Sequence, residues 1–395
     1  MKAFILALAT ALPQYSTDQN NIAKRIIEIC QLRGRSAESI ENLFTKTGIH
    51  TRYSVLKDFT PFDSLNNPDH PEQAQARRTG QDEREEGPTL FNNNMLEKAP
   101  CTQVRNDIYI QEAPKLALAA AKNAIAMWSR PATEITHIIS VSCTGIMAPG
   151  IEFILQNELG LHDDVQRLGI NFMGCFGAFK GLAIANSLAK ENSNNRILVV
   201  CTELCSLHFQ LSIRPEILIG NALFADGAAA VIVGSEIREY EHSLWSIEKF
   251  SSHALKNSQD KMTWTASNHG LVMSLARDVP KIIETEAPHH IRNFLQNYEY
   301  ENLTWAIHPG GKAIVEAIER TCNLSNSQTA SSWQVLKDYG NMSSATFLFV
   351  LNDIIKNKNL PAVPTVAKDG ALASRGVVGI GFGPGLSLEM ILLGK

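Results

Sequence analysis

Residues 171–190 read NFMGCFGAFKGLAIANSLAK, a mixed lead-in followed by a Gly174-Cys175 turn and a run with an Ala/Leu-rich face. The run predicts a helix that begins directly after the turn, which places Cys175 at a helix N-terminus. There the unpaired amides and the positive end of the helix dipole favour a thiolate, so we expect the thiol pKa to fall toward neutrality. The alternative is that Cys175 is a small buried hydrophobe, a common position for a free Cys.

Short apolar, β-branched runs bounded by turn residues occur on both sides of this segment. Such runs are typical of strands that are buried on both faces. Helical patterns lie between them, over residues 112–128, 175–191 and 344–356. This alternation predicts an α/β fold in which helices cover the sheets. The strand candidates are residues 135–143, 196–201, 228–234, 303–307, 376–380 and 386–393.

Composition narrows the class of protein. The chain has 395 residues, of which 44% are hydrophobic, and a formal charge of -4, so no electrostatic argument supports a nucleic-acid partner. Its seven cysteines are scattered, and we expect free thiols and a cytoplasmic location. No apolar run reaches the 18 residues of a membrane span. Lys2 and the apolar run 3–12 resemble a signal peptide, but a buried first strand predicts the same run.

The region from Pro61 to about Asp107 breaks the pattern, because its first 28 residues carry ten charged side chains and almost no large apolar ones. We expect a loop or insertion outside the core, either a solvated surface excursion or a functional lid. A second loop is expected over residues 357–369, which contain Pro361 and Pro364.

Two distant segments supply partners for a nucleophilic thiol. In LTWAIHPGG, His308 follows a predicted buried strand, and in KDYGNMSSAT, Asn341 follows Gly340 at the start of another helix. A nucleophilic Cys needs a group that takes its proton and a neutral donor that stabilises developing oxygen charge, and His and Asn are common choices. Cys175, His308 and Asn341 are therefore the candidate catalytic residues.

Six segments, in this order and spacing, resemble one family: GCFGAFKGLA, ELCSLHF, NALFADGAAAVIVG, IHPGGKAI, YGNMSSAT and GFGPGLSLE. The chain is similar to type III polyketide synthases, the chalcone synthase-like branch of the thiolase superfamily. The resemblance implies a thiolase fold, in which two αβα halves form a five-layer αβαβα core, and a homodimer. The halves would be residues 1–235, with the Cys, and residues 236–395, with the His and Asn.

The resemblance also implies the reaction. A starter acyl group moves from coenzyme A to Cys175, which is held as an ion pair with His308. Malonyl-CoA then loses carbon dioxide while His308 and Asn341 hold its thioester oxygen, and the enolate attacks the acyl-Cys175 thioester. The chain is extended in this way and cyclised to a pyrone or phenolic product. No cofactor and no metal are implied, since the coenzyme A thioesters are substrates.

Further positions carry over from the family one at a time. Phe224 matches a gatekeeper between the coenzyme A tunnel and the cavity. For coenzyme A itself, Lys46 and the backbone at Gly311 and Ala313 match, while Lys312 is added on charge alone. The remaining substrate-binding candidates are Cys143, Thr144, Glu203, Cys205, His208, Trp264, Met273 and Ser343.

Cys143, Cys205 and His208 replace hydroxyl residues of the plant enzymes, which changes the volume and polarity of the cavity. A wide cavity past His208 and Cys205 would favour a fatty acyl starter.

Three alternatives stay open at this point. A ketoacyl synthase III shares the fold and the Cys/His/Asn trio but takes malonyl groups from acyl carrier protein. A non-catalytic thiolase-fold protein would bind acyl-CoA without reacting. A hydrolase with a Cys nucleophile would need water at the acyl-enzyme, which the mostly apolar residues around Cys175 disfavour.

Overall fold

The structure is a computed structural model that describes residues 1–59, 87–91, 99–212, 214–357, 365–366, 372–373 and 376–394. Within these residues it has ten helices and fifteen strands. The helices are α1 (Gln19–Ile29), α2 (Arg35–Thr45), α3 (Thr102–Trp128), α4 (Ile151–Glu158), α5 (Gly177–Glu191), α6 (Pro215–Leu223), α7 (Val279–Phe294), α8 (Lys312–Cys322), α9 (Asn326–Tyr339) and α10 (Thr346–Asn357). The strands are β1 (Ala3–Ala11), β2 (Tyr15–Asp18), β3 (Thr51–Ser54), β4 (His137–Ser142), β5 (Gln166–Asn171), β6 (Arg196–Leu204), β7 (Asp226–Gly234), β8 (Trp245–Ala254), β9 (Met262–Ser267), β10 (Gly270–Leu275), β11 (Leu303–Ile307), β12 (Thr365–Val366), β13 (Leu372–Ala373), β14 (Gly376–Gly383) and β15 (Ser387–Gly394).

Nine strands form one mixed sheet in the order β11-β14-β15-β8-β1-β7-β6-β4-β5. The first four belong to the C-terminal part of the chain and the last five to the N-terminal part. They join where residues 3–5 of β1 pair with residues 245–247 of β8. The β1 run is therefore a buried inner strand, as one of the two readings of the N-terminus predicts.

Helices cover both faces of this sheet and divide the core into layers. Ala117 and Ala121 of α3 pack in one cluster with Leu198 of β6, on the outer side of the N-terminal strands. Helices α5 and α10 share a central cluster with strands of both halves. Helices α7 and α8 pack on the outer side of the C-terminal strands. The five-layer αβαβα arrangement predicted from the sequence is confirmed.

The predicted strands match to within a few residues, and the helix starts predicted at residues 175 and 344 lie two residues before the observed ones, but the start predicted at residue 112 was wrong. Helix α3 begins at Thr102 instead of residue 112, because Arg105 and Tyr109 make buried tertiary contacts: Arg105 Nη1 donates to Phe209 O at 2.8 Å, and Tyr109 Oη donates to Ser142 Oγ at 2.7 Å. Helix α10 begins at Thr346 instead of residue 344 and follows a 3-10 turn over residues 343–345.

The polar stretch predicted as a loop over residues 61–107 is thus wrong at its C-terminal end, where residues 102–107 are helical. Leu90 and Phe91 are also buried, and Phe91 packs on Phe59 and Phe209. Residues 87–91 and 99–101 form neither helix nor strand, while residues 61–86 and 92–98, and most of the second predicted loop, lie outside the described residues. None of the described helices is both long enough and apolar enough to cross a bilayer.

Candidate active site

The segment quoted first forms a tight turn between β5 and α5. Gly174–Phe176 is a 3-10 turn, and α5 follows it at Gly177. Gly174 has a φ of 69°, and a Cβ atom there would lie 2.5 Å from Pro384 Cδ, so a side chain is excluded on both grounds. The turn presents Cys175 just ahead of the first helical residue, as the sequence predicts to within two residues.

The predicted low thiol pKa of Cys175 is wrong for this structure. Burial raises the pKa of the thiol to about 11, and the hydrogen bonds from Ser343 and Asn341 offset only part of that effect. The thiol is 5% exposed and its walls are mainly apolar. Desolvation of the charged form therefore outweighs the amides at the helix start.

His308 follows β11 and is held by its backbone, since His308 N donates to Ile380 O at 2.7 Å. Its side chain is buried, and neither ring nitrogen has a hydrogen-bond partner within the described part of the chain. Burial lowers the pKa of the ring to about 3, so the imidazole is neutral at neutral pH. A neutral ring can accept a proton at one nitrogen and donate one from the other.

Asn341 is oriented by its neighbours. Its Oδ1 accepts hydrogen bonds from Ser343 N at 2.9 Å and from Thr346 Oγ1 at 3.3 Å, which leaves Nδ2 as the donor. Nδ2 donates to Gly310 O at 3.2 Å and lies 4.0 Å from Cys175 Sγ. One amide proton is thus anchored and the other is directed at the thiol.

Two cavities adjoin this trio, and a third cavity adjoins those two. The front cavity is lined by Cys175, His308 and Asn341 together. The middle cavity is lined by Cys175, Cys143, Thr144, Cys205 and Ser343 among others. The side cavity extends past Cys205 and His208 toward the paired strands β2 and β3. The three predicted catalytic residues, from distant parts of the chain, are therefore brought to one place.

Phe224 and Met273 line all three cavities, and Trp264 lines the middle and side cavities. Met273 and Trp264 are register partners in the β9–β10 hairpin, so both reach the same junction. Trp264 Nε1 donates to Cys143 O at 2.7 Å, and its ring lies 6.1 Å from that of Phe224. Phe224 thus lies where the three cavities adjoin, and its gatekeeper role stays a prediction.

Two family profiles match this chain. The profile described as "Chalcone and stilbene synthases, N-terminal domain" matches residues 83–237, and that of the C-terminal domain matches residues 247–395. Type III polyketide synthase A of Arabidopsis thaliana is 30% identical over 400 residues, which cover 99% of this chain and 92% of that protein. The chain belongs to the type III polyketide synthase family.

Other relatives agree with this family. Probable polyketide synthase 1 of Dictyostelium discoideum is 30% identical over 395 residues, which cover 98% of this chain but only 11% of that protein. The solved C-terminal type III polyketide synthase domain of Steely1, a Dictyostelium type I/III hybrid, superposes with a TM-score of 0.84 at 27% identity, over 100% of this chain and 99% of that one. PKS-I of the brown alga Ectocarpus siliculosus gives the same TM-score and identity, over 100% and 98%. The predicted enzyme class, a condensing acyltransferase, is confirmed at family level.

In this synthase, two predicted substrate-binding residues contact the protein more than the cavity. His208 Nδ1 accepts from Leu271 N at 3.0 Å and Nε2 pairs with Thr144 O at 2.8 Å, while burial lowers the ring pKa to about 4. Both polar edges of His208 are thus occupied, and the ring packs edge-on against Trp264.

Glu203 is fully buried and lines none of the three cavities. Its carboxylate accepts from Cys143 N, Thr144 Oγ1 and Ser344 Oγ, which ties the end of β4 to the turn before α10. We therefore assign Glu203 to the support of the cavity wall, while Cys143, Thr144, Cys205 and Ser343 face the middle cavity.

The predicted coenzyme A residues lie outside the three cavities. Lys46 is exposed at the end of α2, and Lys312 is exposed at the start of α8, where it pairs with Glu316 at 3.5 Å. Gly311 and Ala313 also line none of the cavities, although their neighbours Gly310 and Ile314 line the front one. Leu223, on the wall of the front cavity, packs in one cluster with Ile49 and approaches Gly311.

Sequence reasoning missed the side-cavity residues Thr17 and Arg52. Both lie in the two-stranded sheet of β2 and β3, far along the chain from every motif, and only their register brings them to the cavity. A basic residue in the middle of a short strand, TRYS, was the signal available. The described residues hold no group of three or more His, Cys, Asp or Glu arranged to bind a metal ion.

Proposed function

We propose that this protein condenses malonyl-CoA repeatedly, with loss of carbon dioxide, onto a long acyl starter held as a Cys175 thioester. The observation that carries the proposal is the front cavity, where the thiol, the imidazole and the amide meet and where both nitrogens of His308 lack protein partners within the described residues. A buried polar ring without partners is costly, which argues for a ligand oxygen or proton at that place.

Loading of the starter begins when Cys175 Sγ attacks the acyl-CoA carbonyl. The raised thiol pKa and the neutral ring support general-base catalysis, in which His308 takes the proton as the C–S bond forms. The bond to coenzyme A then breaks, and the departing thiolate takes the proton back from His308. The acyl group is left on Cys175 and the imidazole is neutral again.

Extension uses the same two donors. An N–H of His308 and the free proton of Asn341 Nδ2 bind the thioester oxygen of malonyl-CoA. As carbon dioxide leaves, the electron pair of the broken C–C bond forms an enolate, whose charge develops on that oxygen. The enolate carbon attacks the acyl-Cys175 carbonyl, and Cys175 leaves as a thiolate. This thiolate attacks the thioester of the extended chain, which returns to Cys175 as coenzyme A thiolate leaves. After further rounds, cyclisation yields a pyrone or phenolic product.

The starter is inferred from the cavities. The middle cavity alone is small, but the side cavity adjoins it through Cys205, Trp264, Phe224 and Met273. Its lining includes Ile22, Phe59, Phe209, Ile217 and Leu271, which suits a long apolar chain. Lys46 and Lys312, which are both exposed, are the proposed phosphate contacts of coenzyme A. No cofactor beyond these thioesters enters the proposed reaction.

The proposal includes a homodimer. The edge strand β5 is exposed along most of its length, and large apolar side chains beside it are also exposed: Ile146 at 60%, Phe153 at 39%, Leu168 at 42%, Phe172 at 46% and Met173 at 38%. An apolar patch of this kind beside an unpaired strand edge supports association with a second copy. The seven cysteines are free, which supports a reducing compartment such as the cytoplasm.

The test is mass spectrometry of the protein incubated with malonyl-CoA and a series of acyl-CoA starters, beside Cys175→Ala. We expect an acyl adduct on Cys175 and pyrone or phenolic products that vanish in the variant. Turnover only with malonyl-acyl carrier protein would favour a ketoacyl synthase III activity, and free acid from the starter would favour a hydrolase. An unmodified Cys175 with no decarboxylation would leave a non-catalytic acyl-CoA-binding protein.

A further inference from the structure

The far end of the side cavity is polar although most of its wall is apolar. Thr17 and Arg52 are cross-strand partners in the two-stranded sheet of β2 and β3, so their side chains lie on one face, and both line this cavity. Thr17 is 6% exposed and Arg52 is 5% exposed. Thr17 Oγ1, Arg52 Nε and Arg52 Nη2 have no hydrogen-bond partner within the described residues. Three polar atoms of one residue pair thus lack protein partners at one end of the cavity.

The charge of Arg52 is only partly compensated by the protein. Its Nη1 donates to Asn221 O and Phe224 O, both at 2.7 Å. Asp226 is the carboxylate that acts on Arg52 electrostatically, but its oxygens accept hydrogen bonds from Val55 N, Ser206 N and Ser206 Oγ. Burial lowers the pKa of Arg52 to about 9, so the guanidinium is still charged at neutral pH. A buried cation of this kind is stabilised by a contacting anion.

The side cavity is close enough to the nucleophile to share its walls. Phe224 and Met273 line both the side cavity and the front cavity, while Cys205 and Trp264 line both the side cavity and the middle one. One layer of side chains therefore separates Thr17 and Arg52 from the cavities that hold Cys175. An acyl group bound to Cys175 can reach Thr17 and Arg52 only by passing between these shared side chains.

We propose that the side cavity binds the far end of the starter acyl group and that Thr17 and Arg52 recognise a carboxylate there. This inference rests on the proposed function and names its substrate class, an acyl-CoA with a terminal carboxylate. The Nε–H and Nη2–H bonds of Arg52 would meet the two carboxylate oxygens, and Thr17 Oγ1 would donate a third hydrogen bond. The apolar side chains between Cys175 and this pair would contact the methylene chain.

The experiment compares adipoyl-, suberoyl- and sebacoyl-CoA with straight-chain acyl-CoAs of matched length that end in a methyl group. The measured quantity is the ratio of kcat/KM for each pair. At the chain length that reaches Thr17 and Arg52, we expect kcat/KM for the carboxylate-ended thioester to be roughly tenfold or more above that for its methyl-ended partner. Arg52→Met should lower that ratio roughly ten- to a hundredfold, because it removes two hydrogen bonds from a charged donor to the carboxylate. Thr17→Val should lower it by about three- to tenfold, because it removes one hydrogen bond from a neutral hydroxyl.

Thr17→Val keeps the shape of its side chain, so it tests the inference even if Arg52→Met fails to fold. The matched control is Thr285→Val, which removes a hydroxyl on the exposed side of α7 and should leave the ratio unchanged. A ratio near one in the wild type, or a ratio that neither variant changes, would overturn the inference. It would mean that Thr17 and Arg52 bind ordered water instead of a carboxylate. A change in product length from methyl-ended starters, with the ratio unchanged, would place keto oxygens of the growing chain there and also overturn it.

Binding separates this inference from the proposed function. Titration calorimetry of Cys175→Ala with the same thioesters measures the preference for a carboxylate without turnover. A carboxylate preference that Thr17→Val weakens in the Cys175→Ala background, together with no product from the wild-type protein, would support the side cavity and contradict the synthase reaction. Products from methyl-ended starters, with no carboxylate preference in either assay, would support the reaction and contradict the assigned role of Thr17 and Arg52.

Discussion

The two central helices, α5 and α10, begin in the same way but carry different functional groups at their starts. Each follows a 3-10 turn, over Gly174–Phe176 in the first case and Ser343–Ala345 in the second. The helices meet near their starts, where the rings of Phe179 and Phe347 stack with centroids 4.1 Å apart. The turn before α5 carries the thiol of Cys175, and the segment leading into α10 carries the amide of Asn341.

The surroundings of the two groups are opposite. Asn341 Oδ1 and Nδ2 make short polar contacts that fix the amide, whereas Cys175 lies among apolar walls with Asn341 at 4.0 Å. The backbone of Ser343 has a φ of 47°, a left-handed conformation that costs free energy. In this conformation Ser343 N donates to Asn341 Oδ1. One helix start therefore supplies a desolvated reactive atom and the other supplies a fixed dipole. This difference matches a nucleophile on one side and oxyanion stabilisation on the other.

The largest expected effect comes from removing the thiol. Cys175→Ala should reduce product formation by roughly a thousandfold or more, since no nucleophile is left to hold the starter. Decarboxylation of malonyl-CoA should continue, because His308 and Asn341 are unchanged. Product analysis and carbon dioxide release, measured on the same samples, check both statements. Equal loss of both activities would mean that the two helix starts do not have separate roles.

The next effect comes from removing the fixed dipole. Asn341→Ala should slow decarboxylation by roughly a hundred- to a thousandfold, the range found for one oxyanion donor. The acyl adduct on Cys175 should still form, because loading depends on Cys175 and His308. Intact-protein mass spectrometry with an acyl-CoA starter and no malonyl-CoA tests this. Loss of the adduct as well would show that Asn341 also serves the loading step.

The protonation of the two sides can be compared through pH. Burial raises the pKa of Cys175 to about 11, so its thiolate fraction, and its rate of alkylation by iodoacetamide, should rise about tenfold per pH unit from about pH 7 to about pH 10. The ring of His308, with a pKa of about 3, stays neutral throughout. A rate that is already constant from about pH 6 would contradict this and restore the ion pair that the family resemblance implies. His308→Ala is the control that removes the ring.

The smallest expected effect comes from one hydrogen bond behind Asn341. Thr346→Val removes the hydroxyl that donates to Asn341 Oδ1 at 3.3 Å but keeps the side-chain shape. Because Ser343 N still orients the amide, kcat should fall only about three- to tenfold with KM for malonyl-CoA little changed. Thr285→Val again provides the control. A rise in KM without a change in kcat would mean that Thr346 acts on binding instead of on the orientation of the amide.

The sequence alone indicated most of the core and the three candidate catalytic residues that line one cavity. Strands such as Arg196–Leu204 and Asp226–Gly234 are buried at every position, so their apolar runs were visible without any partner. The turn at Gly174-Cys175 was visible because glycine marks a backbone that other residues avoid. His308 and Asn341 each follow a recognisable strand end or helix start, and the motifs around them indicated the family.

Only the tertiary structure decided the properties that depend on surroundings from distant parts of the chain. The local helix start favours a thiolate at Cys175, but walls from both halves bury the thiol and reverse that preference. The first turns of α3 are polar in sequence and are helical because Arg105 and Tyr109 find buried partners. Thr17 and Arg52 meet the side cavity only through strand register. Burial and strand register depend on residues from distant parts of the chain, whereas the pattern of strands and helices is encoded locally.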